Sequence, residues 1–94
     1  MQQSQREAAL AVHAVLDGAA LPAALEAHVG RDAGPARAFV QELAYGTLRH
    51  HGTLDAIVRA MIDRPIPDRR SAVLVEVALY QLEHTRQPPF AVVD

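Results

Sequence analysis

The sequence predicts an all-α domain, and three observations carry that reading. Apolar residues recur at helical spacing, most cleanly in Leu54, Ile57, Val58, Met61 and Ile62, an i, i+3, i+4, i+7, i+8 stripe. Half of the chain is hydrophobic, yet that half is mostly Ala, Val and Leu with only 4% aromatic residues. Small side chains let helices pack at short distance. The one run that could be a buried strand, Ala72-Val-Leu-Val-Glu-Val-Ala-Leu-Tyr-Gln-Leu82, is long for a strand and has no second strand to pair with.

The elements follow in order. Ser4-x-x-Glu7 reads as a capping box that opens the first helix. Ala8, Val12, Val15, Leu16 and Ala19 continue it at helical spacing, and Gly18 marks its end. Pro22 sits where a first-turn proline belongs and opens a short helix through Ala24, Leu25 and Val29 to Gly30. Gly34-Pro35 breaks the chain and restarts it into a long helix. Its best-defined part, Phe39-Val-Gln-Glu-Leu-Ala-Tyr-Gly-Thr-Leu-Arg49, offers Phe39, Val40, Leu43, Tyr45, Thr47 and Leu48 as a broad buried side. Gly46 costs that helix roughly 1 kcal/mol relative to alanine, which calls for a local reason such as close approach of a second helix.

His51-Gly52-Thr53 interrupts again before the Leu54 stripe, and Pro65-Ile-Pro67 forces a loop. Asp68 and Ser71 compete as N-caps of the next helix, which runs to about His84. It is apolar nearly all round, as a helix at the centre of a bundle is. Pro88-Pro89 then breaks the chain, and Phe90-Ala-Val-Val-Asp94 begins something apolar and stops. The expectation is a bundle of about five helices, residues 1–94, truncated before its final helices. Apolar surface left around 73–82 would then be covered by self-association or helix exchange between copies, giving a homo-oligomer.

Composition bounds the function. A 94-residue domain buries only about 60–65% of its unfolded surface, so its stability is marginal. The absence of cysteine removes thiol nucleophiles, thiolate metal sites and disulfides, and fits a reducing cytoplasm. The polar start, Met-Gln-Gln-Ser-Gln-Arg-Glu, is not a signal peptide, and no apolar run approaches the ~20 residues of a membrane span.

The net charge of −2 argues against an avid nonspecific nucleic-acid binder. Positive charge is nevertheless concentrated: residues 49–70 hold five arginines against three aspartates, whereas the segments on either side are net acidic. All nine basic residues are arginine, which coding bias or bidentate phosphate contact would both explain.

The inventory for catalysis is thin. His50 and His51 are adjacent, so on a helix their rings point about 100° apart and do not share a metal. His13, His28 and His84 read as ordinary surface or half-buried histidines, and no serine or threonine has a paired base. The cationic clusters Arg49–His50–His51 and Arg69–Arg70 are the candidates for RNA phosphate contact. The alternative is a solvated face, with Arg49 offsetting the dipole at a helix C-terminus.

Four segments together resemble a known family. They are Arg6-Glu-Ala-Ala-Leu-Ala-Val-His-Ala-Val-Leu16 leading into Gly18-Ala-Ala-Leu-Pro-Ala-Ala-Leu25; Phe39 to Arg49 with Leu54-Asp55; Ala78-Leu-Tyr-Gln-Leu82; and Pro89-Phe-Ala-Val-Val-Asp94. Their order is similar to that of the NusB-type helical domain at the N-terminus of bacterial ribosomal RNA cytosine-C5 methyltransferases of the RsmB (Sun, Fmu) kind. Tyr45-Gly46-x-Leu48-Arg49 with Leu79-Tyr80-Gln81-Leu82 resembles the methyltransferase branch, whereas the free-standing antitermination factor more often has Glu where Gln81 stands. Ala78, where glycine is frequent, and Phe90, where histidine is common, depart from the pattern.

The resemblance implies an accessory domain that helps position ribosomal RNA and is not catalytic by itself. Its partners would be ribosomal RNA and its own methyltransferase domain, with no membrane, in the cytoplasm. The resemblance adds Arg6, which falls near the region where NusB-like proteins contact RNA, to Arg49, His50, Arg69 and Arg70 of the cationic clusters as candidate RNA contacts, with no catalytic or metal-binding residue. No cofactor is expected in this fragment; S-adenosylmethionine and a cysteine nucleophile belong to the absent catalytic domain. The alternative is a NusB-type transcription antitermination factor that binds RNA with a ribosomal protein partner. A third is a docking scaffold that packs on its own catalytic domain.

Overall fold

The computed structural model describes residues 3–29, 34–61 and 68–84. Five helices account for nearly all of them: α1 (Gln3–Leu16), α2 (Leu21–His28), α3 (Pro35–Arg49), α4 (His51–Met61) and α5 (Arg69–His84). The all-α expectation holds, and the run at 72–82 is helix. Gly30, Ile62, the Pro65–Pro67 segment and everything after His84 lie outside the described residues.

The helix ends show why the chain breaks where it does. At the end of α1, Gly18 N–H donates to Val15 O at 2.9 Å and Ala19 N–H to Ala14 O at 3.0 Å. That pair of bonds is a Schellman motif, and Gly18 takes its left-handed position at φ 112°. Ala19 is therefore outside the helix and exposed. The capping box expected at Ser4 is not what starts α1, because the helix already includes Gln3 and Ser4 has helical backbone. Pro22 and Pro35 stand in the first turns of α2 and α3, with Gly34 as the α3 N-cap.

The interruption after α3 is shorter than His51-Gly52-Thr53. Only His50 leaves helical geometry: its N–H still donates to Gly46 O, and its own carbonyl accepts from Leu54 N–H at 2.9 Å. His51, Gly52 and Thr53 form the first turn of α4. At α5 the two competing caps resolve in favour of Asp68. Its Oδ1 accepts from Arg70 N–H at 2.8 Å, and its Oδ2 accepts from the Ser71 hydroxyl at 3.0 Å. These bonds hold the Asp68 carboxyl below its ordinary range, the Arg70 N–H contributing most.

α1 and α5 form the centre. α1 packs on α2, α3 and α5, while α5 packs also on α3 and α4. Ala8, Ala11, Val12, Val40, Leu43, Ala44, Leu54, Val73 and Val77 are fully or nearly fully buried between them. Two polar pairs cross this core. Gln5 Nε2 donates to Gln81 Oε1 at 2.6 Å between α1 and α5, and both residues are buried. His51 Nδ1 lies 2.6 Å from Glu76 Oε1, tying the start of α4 to α5.

α3 turns a different side inward from the one the sequence offered. Val40, Leu43, Ala44, Gly46 and Thr47 are buried and Phe39 and Leu48 half-buried, but Tyr45 is 59% exposed. The inward side is the one packed on α1 and α5, and Tyr45 is rotated away from it. The α4 stripe is likewise covered only in part: Leu54 and Val58 are buried and Met61 is exposed. Among the described residues α5 has no exposed large hydrophobic. The strip that a second copy would cover consists of half-buried Leu74, Val75, Leu79 and Leu82.

Candidate functional site

Two grooves carry the residues singled out in the sequence. The larger, about 580 Å³, lies between α3 and α5 and is lined by Ala38, Gln41, Glu42, Tyr45, Gly46, Arg49, His50 and Tyr80. Its floor depends on a missing side chain. A Cβ at Gly46 would overlap Cζ and Oη of Tyr80, so the ring lies against the bare backbone of α3. This is the close helix approach that the glycine called for.

Tyr80 then organises the end of the groove. Its ring stacks with His84, one α-helical turn later, at a centroid separation of 4.7 Å. His84 in turn stacks with His50 at 4.6 Å and an interplanar angle of 16°. His50, at the α3–α4 junction, lies 5.9 Å from Tyr80. Three rings from two distant parts of the chain thus share one surface. His84 looked like an ordinary histidine in the sequence, and only its i+4 spacing from Tyr80 on a helix hinted at the pairing.

Arg49 ends α3 beside this array and is exposed, with no ion pair among the described residues. Next to the rings, His51 meets Glu76, the one acid in the apolar run of α5. Burial raises the Glu76 carboxyl above its ordinary value, outweighing the hydrogen bond and charge of His51, which pull it down.

The second groove is an apolar cleft of about 210 Å³ between α1 and α5, lined by Arg6, Ala9, Leu10, Arg70 and Leu74. Arg6 and Arg70 are 64 positions apart in the sequence and in no common element; the packing of α1 on α5 sets both on the lining of one cleft. Arg69 is engaged differently: its Nη1 donates to Asp17 Oδ1 at 2.8 Å, at the end of α1. The five sequence-predicted residues therefore divide. Arg49 and His50 sit by the C-terminal end of α5, Arg69 and Arg70 at its N-terminal end roughly 20 Å away along the helix. Arg6 shares the cleft lining with Arg70, although its neighbour Gln5 bonds Gln81 toward the other end of α5.

Among the described residues no group of three or more His, Cys, Asp or Glu could hold a metal ion, and no helix is long and apolar enough to cross a membrane.

The profile of the NusB family matches residues 2–94. Curated relatives carry the name ribosomal RNA small subunit methyltransferase B. A probable one from a Synechocystis species is 42% identical over 59 residues, covering 58% of this chain and 13% of the relative. Those of Citrobacter koseri and Escherichia coli are 39% and 40% identical over 57 residues, with the same shares. The chain thus matches only about 13% of the length of these relatives, in their N-terminal part. No solved structure matches it.

Proposed function

Because the chain belongs to the NusB family, we propose that it is the accessory RNA-binding region of a ribosomal RNA small-subunit cytosine-C5 methyltransferase. It helps to position ribosomal RNA in the cytoplasm and transfers no methyl group itself. The observation that carries this reading is Arg49: an exposed guanidinium without an ion-pair partner among the described residues, set beside an aromatic groove. Cation and ring side by side suit a nucleic-acid strand, whose phosphates and bases alternate. The names of the relatives support the same assignment.

In this reading S-adenosylmethionine supplies the methyl group in the catalytic region of the longer protein. Neither of the two grooves described above has the donor set for that cofactor. The apolar cleft offers no carboxylate for ribose hydroxyls or the methionine ammonium, and the α3–α5 groove offers one, Glu42. A cysteine nucleophile, in the same reading, would belong to that catalytic region, and this chain contains no cysteine.

The cleft between Arg6 and Arg70 favours a second, compatible role. Its apolar strip, with Leu10 exposed, suits docking on the enzyme's own catalytic region. Titration of small-subunit ribosomal RNA fragments with the chain, over a salt series, tests the RNA assignment. Salt-sensitive binding that falls on charge reversal at Arg49, Arg69 and Arg70 is the expected result. Affinity untouched by the triple change would overturn it.

A further inference from the structure

We propose that the α3–α5 groove holds one unpaired RNA nucleotide, its base stacked on Tyr45 and the edge of the His50–Tyr80–His84 array and its phosphate on Arg49. The proposal rests on the RNA-binding reading and assigns that contact to a strand type and to particular side chains.

Aromatic placement is the first argument. The chain has only two tyrosines, and both line this groove. Tyr80 is spent on packing, at 9% exposure, but Tyr45 is 59% exposed on a helix whose inner side is filled by Val40, Leu43, Ala44, Gly46 and Thr47. An exposed tyrosine lining the same groove as Tyr80 and His50 gives a base two π-surfaces to meet. Stacking of this kind is tolerant of sequence because every base has a π-face.

Geometry excludes a duplex as the preferred ligand. Bases in an A-form helix are already stacked on one another, and their faces are not available to side chains. A groove of about 580 Å³ has room for a nucleotide but is framed by two helices. Arg49, one helical turn beyond Tyr45 on α3, is placed to meet the phosphate of a nucleotide whose base lies on that ring.

Glu42 adds selectivity. It lines the same groove, three residues before Tyr45, and while ionised it only accepts hydrogen bonds. Cytosine, adenine and guanine can donate to it from an exocyclic amino group at the base edge, whereas uracil has no amino group there and only its ring N3–H to donate. The groove should therefore disfavour uridine.

The test is a fluorescence-anisotropy titration of the 94-residue chain with short oligocytidine, oligouridine and duplex RNA. Variants Tyr45→Ala and Arg49→Ala alter exposed positions and leave the core intact. Expected is preference for oligocytidine over both other ligands. Tyr45→Ala should lose on the order of tenfold in oligocytidine affinity with the salt dependence unchanged. Arg49→Ala should lower the slope of log affinity on log salt by about 0.7, the value of one phosphate contact on a single strand. Single-stranded binding indifferent to Tyr45→Ala, but lost on charge reversal at Arg6 and Arg70, would overturn the groove assignment and leave the RNA reading standing. Absence of binding to any RNA would overturn both. A free cytidine monophosphate that binds as tightly as the strand would overturn assignment to a strand.

Discussion

Tyr80 occupies the space that a side chain at position 46 would need. A Cβ on Gly46 would overlap the phenol ring of Tyr80, which is itself stacked against His84. One residue without a side chain thus lets α3 and α5 approach and fixes the ring array at their junction.

Gly46→Ala tests that relationship against a competing effect. Alanine favours the helix by about 1 kcal/mol, but overpacking a well-filled contact costs about 1–3 kcal/mol. The Tyr80 ring has little freedom to move, being 9% exposed and in contact with two histidines. Gly46→Ala should therefore lower stability in urea unfolding. In a Tyr80→Leu background the same change should be neutral or stabilising. Equal effects in both backgrounds would show that the ring is not the obstacle.

Glu76 gives stability a pH dependence of known sign. Its folded-state carboxyl is raised above the ordinary 4.5, chiefly by burial. The native state then holds a proton that the unfolded chain has released. The resulting stabilisation is full below the ordinary value and disappears as pH rises through the raised one. Glu76→Gln removes this term while keeping a hydrogen-bonding group against His51. The stability of the Gln variant relative to the parent should rise with pH across that window. Urea midpoints from acid to neutral pH measure it, and a difference that falls with pH would contradict the assignment.

The Gln5–Gln81 bond links the two central helices between two buried side chains. Gln81→Leu removes that partner from the buried Gln5 amide and should cost about 1–3 kcal/mol. Changing both to leucine should recover much of the loss, because two apolar groups replace two polar ones. A double variant as unstable as the two single losses combined would place the value of these glutamines in contacts other than their mutual bond.

Much of the fold was legible because breakers have local causes. Gly18, Pro22, Gly34-Pro35 and Asp68 act through their own backbone and neighbours, and each marks a helix end in the structure. Gly46 was legible as a cost, though not with Tyr80 as its reason. The ring array was not legible, since His50 and His84 meet only through the packing of α3 and α5. Tyr45 was misassigned to the core because periodicity marks apolar residues without saying which neighbour sets the inward side. Glu76 stood out in an apolar run, but its partner His51 is 25 residues away in sequence.

Asp17 offers a way to ask whether the N-terminal end of α5 meets RNA. Arg69 and Asp17 form an exposed pair, each side chain more than half accessible, so the pair contributes at most about 1 kcal/mol to folding. Asp17 also competes with any phosphate for Arg69. Asp17→Asn removes the competing charge with little cost to the fold. If Arg69 belongs to the RNA face, the variant should bind ribosomal RNA fragments more tightly, with a salt slope steeper by about 0.7–0.9, one added phosphate contact. Arg69→Gln in the same background should cancel the gain. An unchanged slope in Asp17→Asn would remove Arg69 from the interface and leave the α3 end, with Arg49 and His50, as the face that carries RNA.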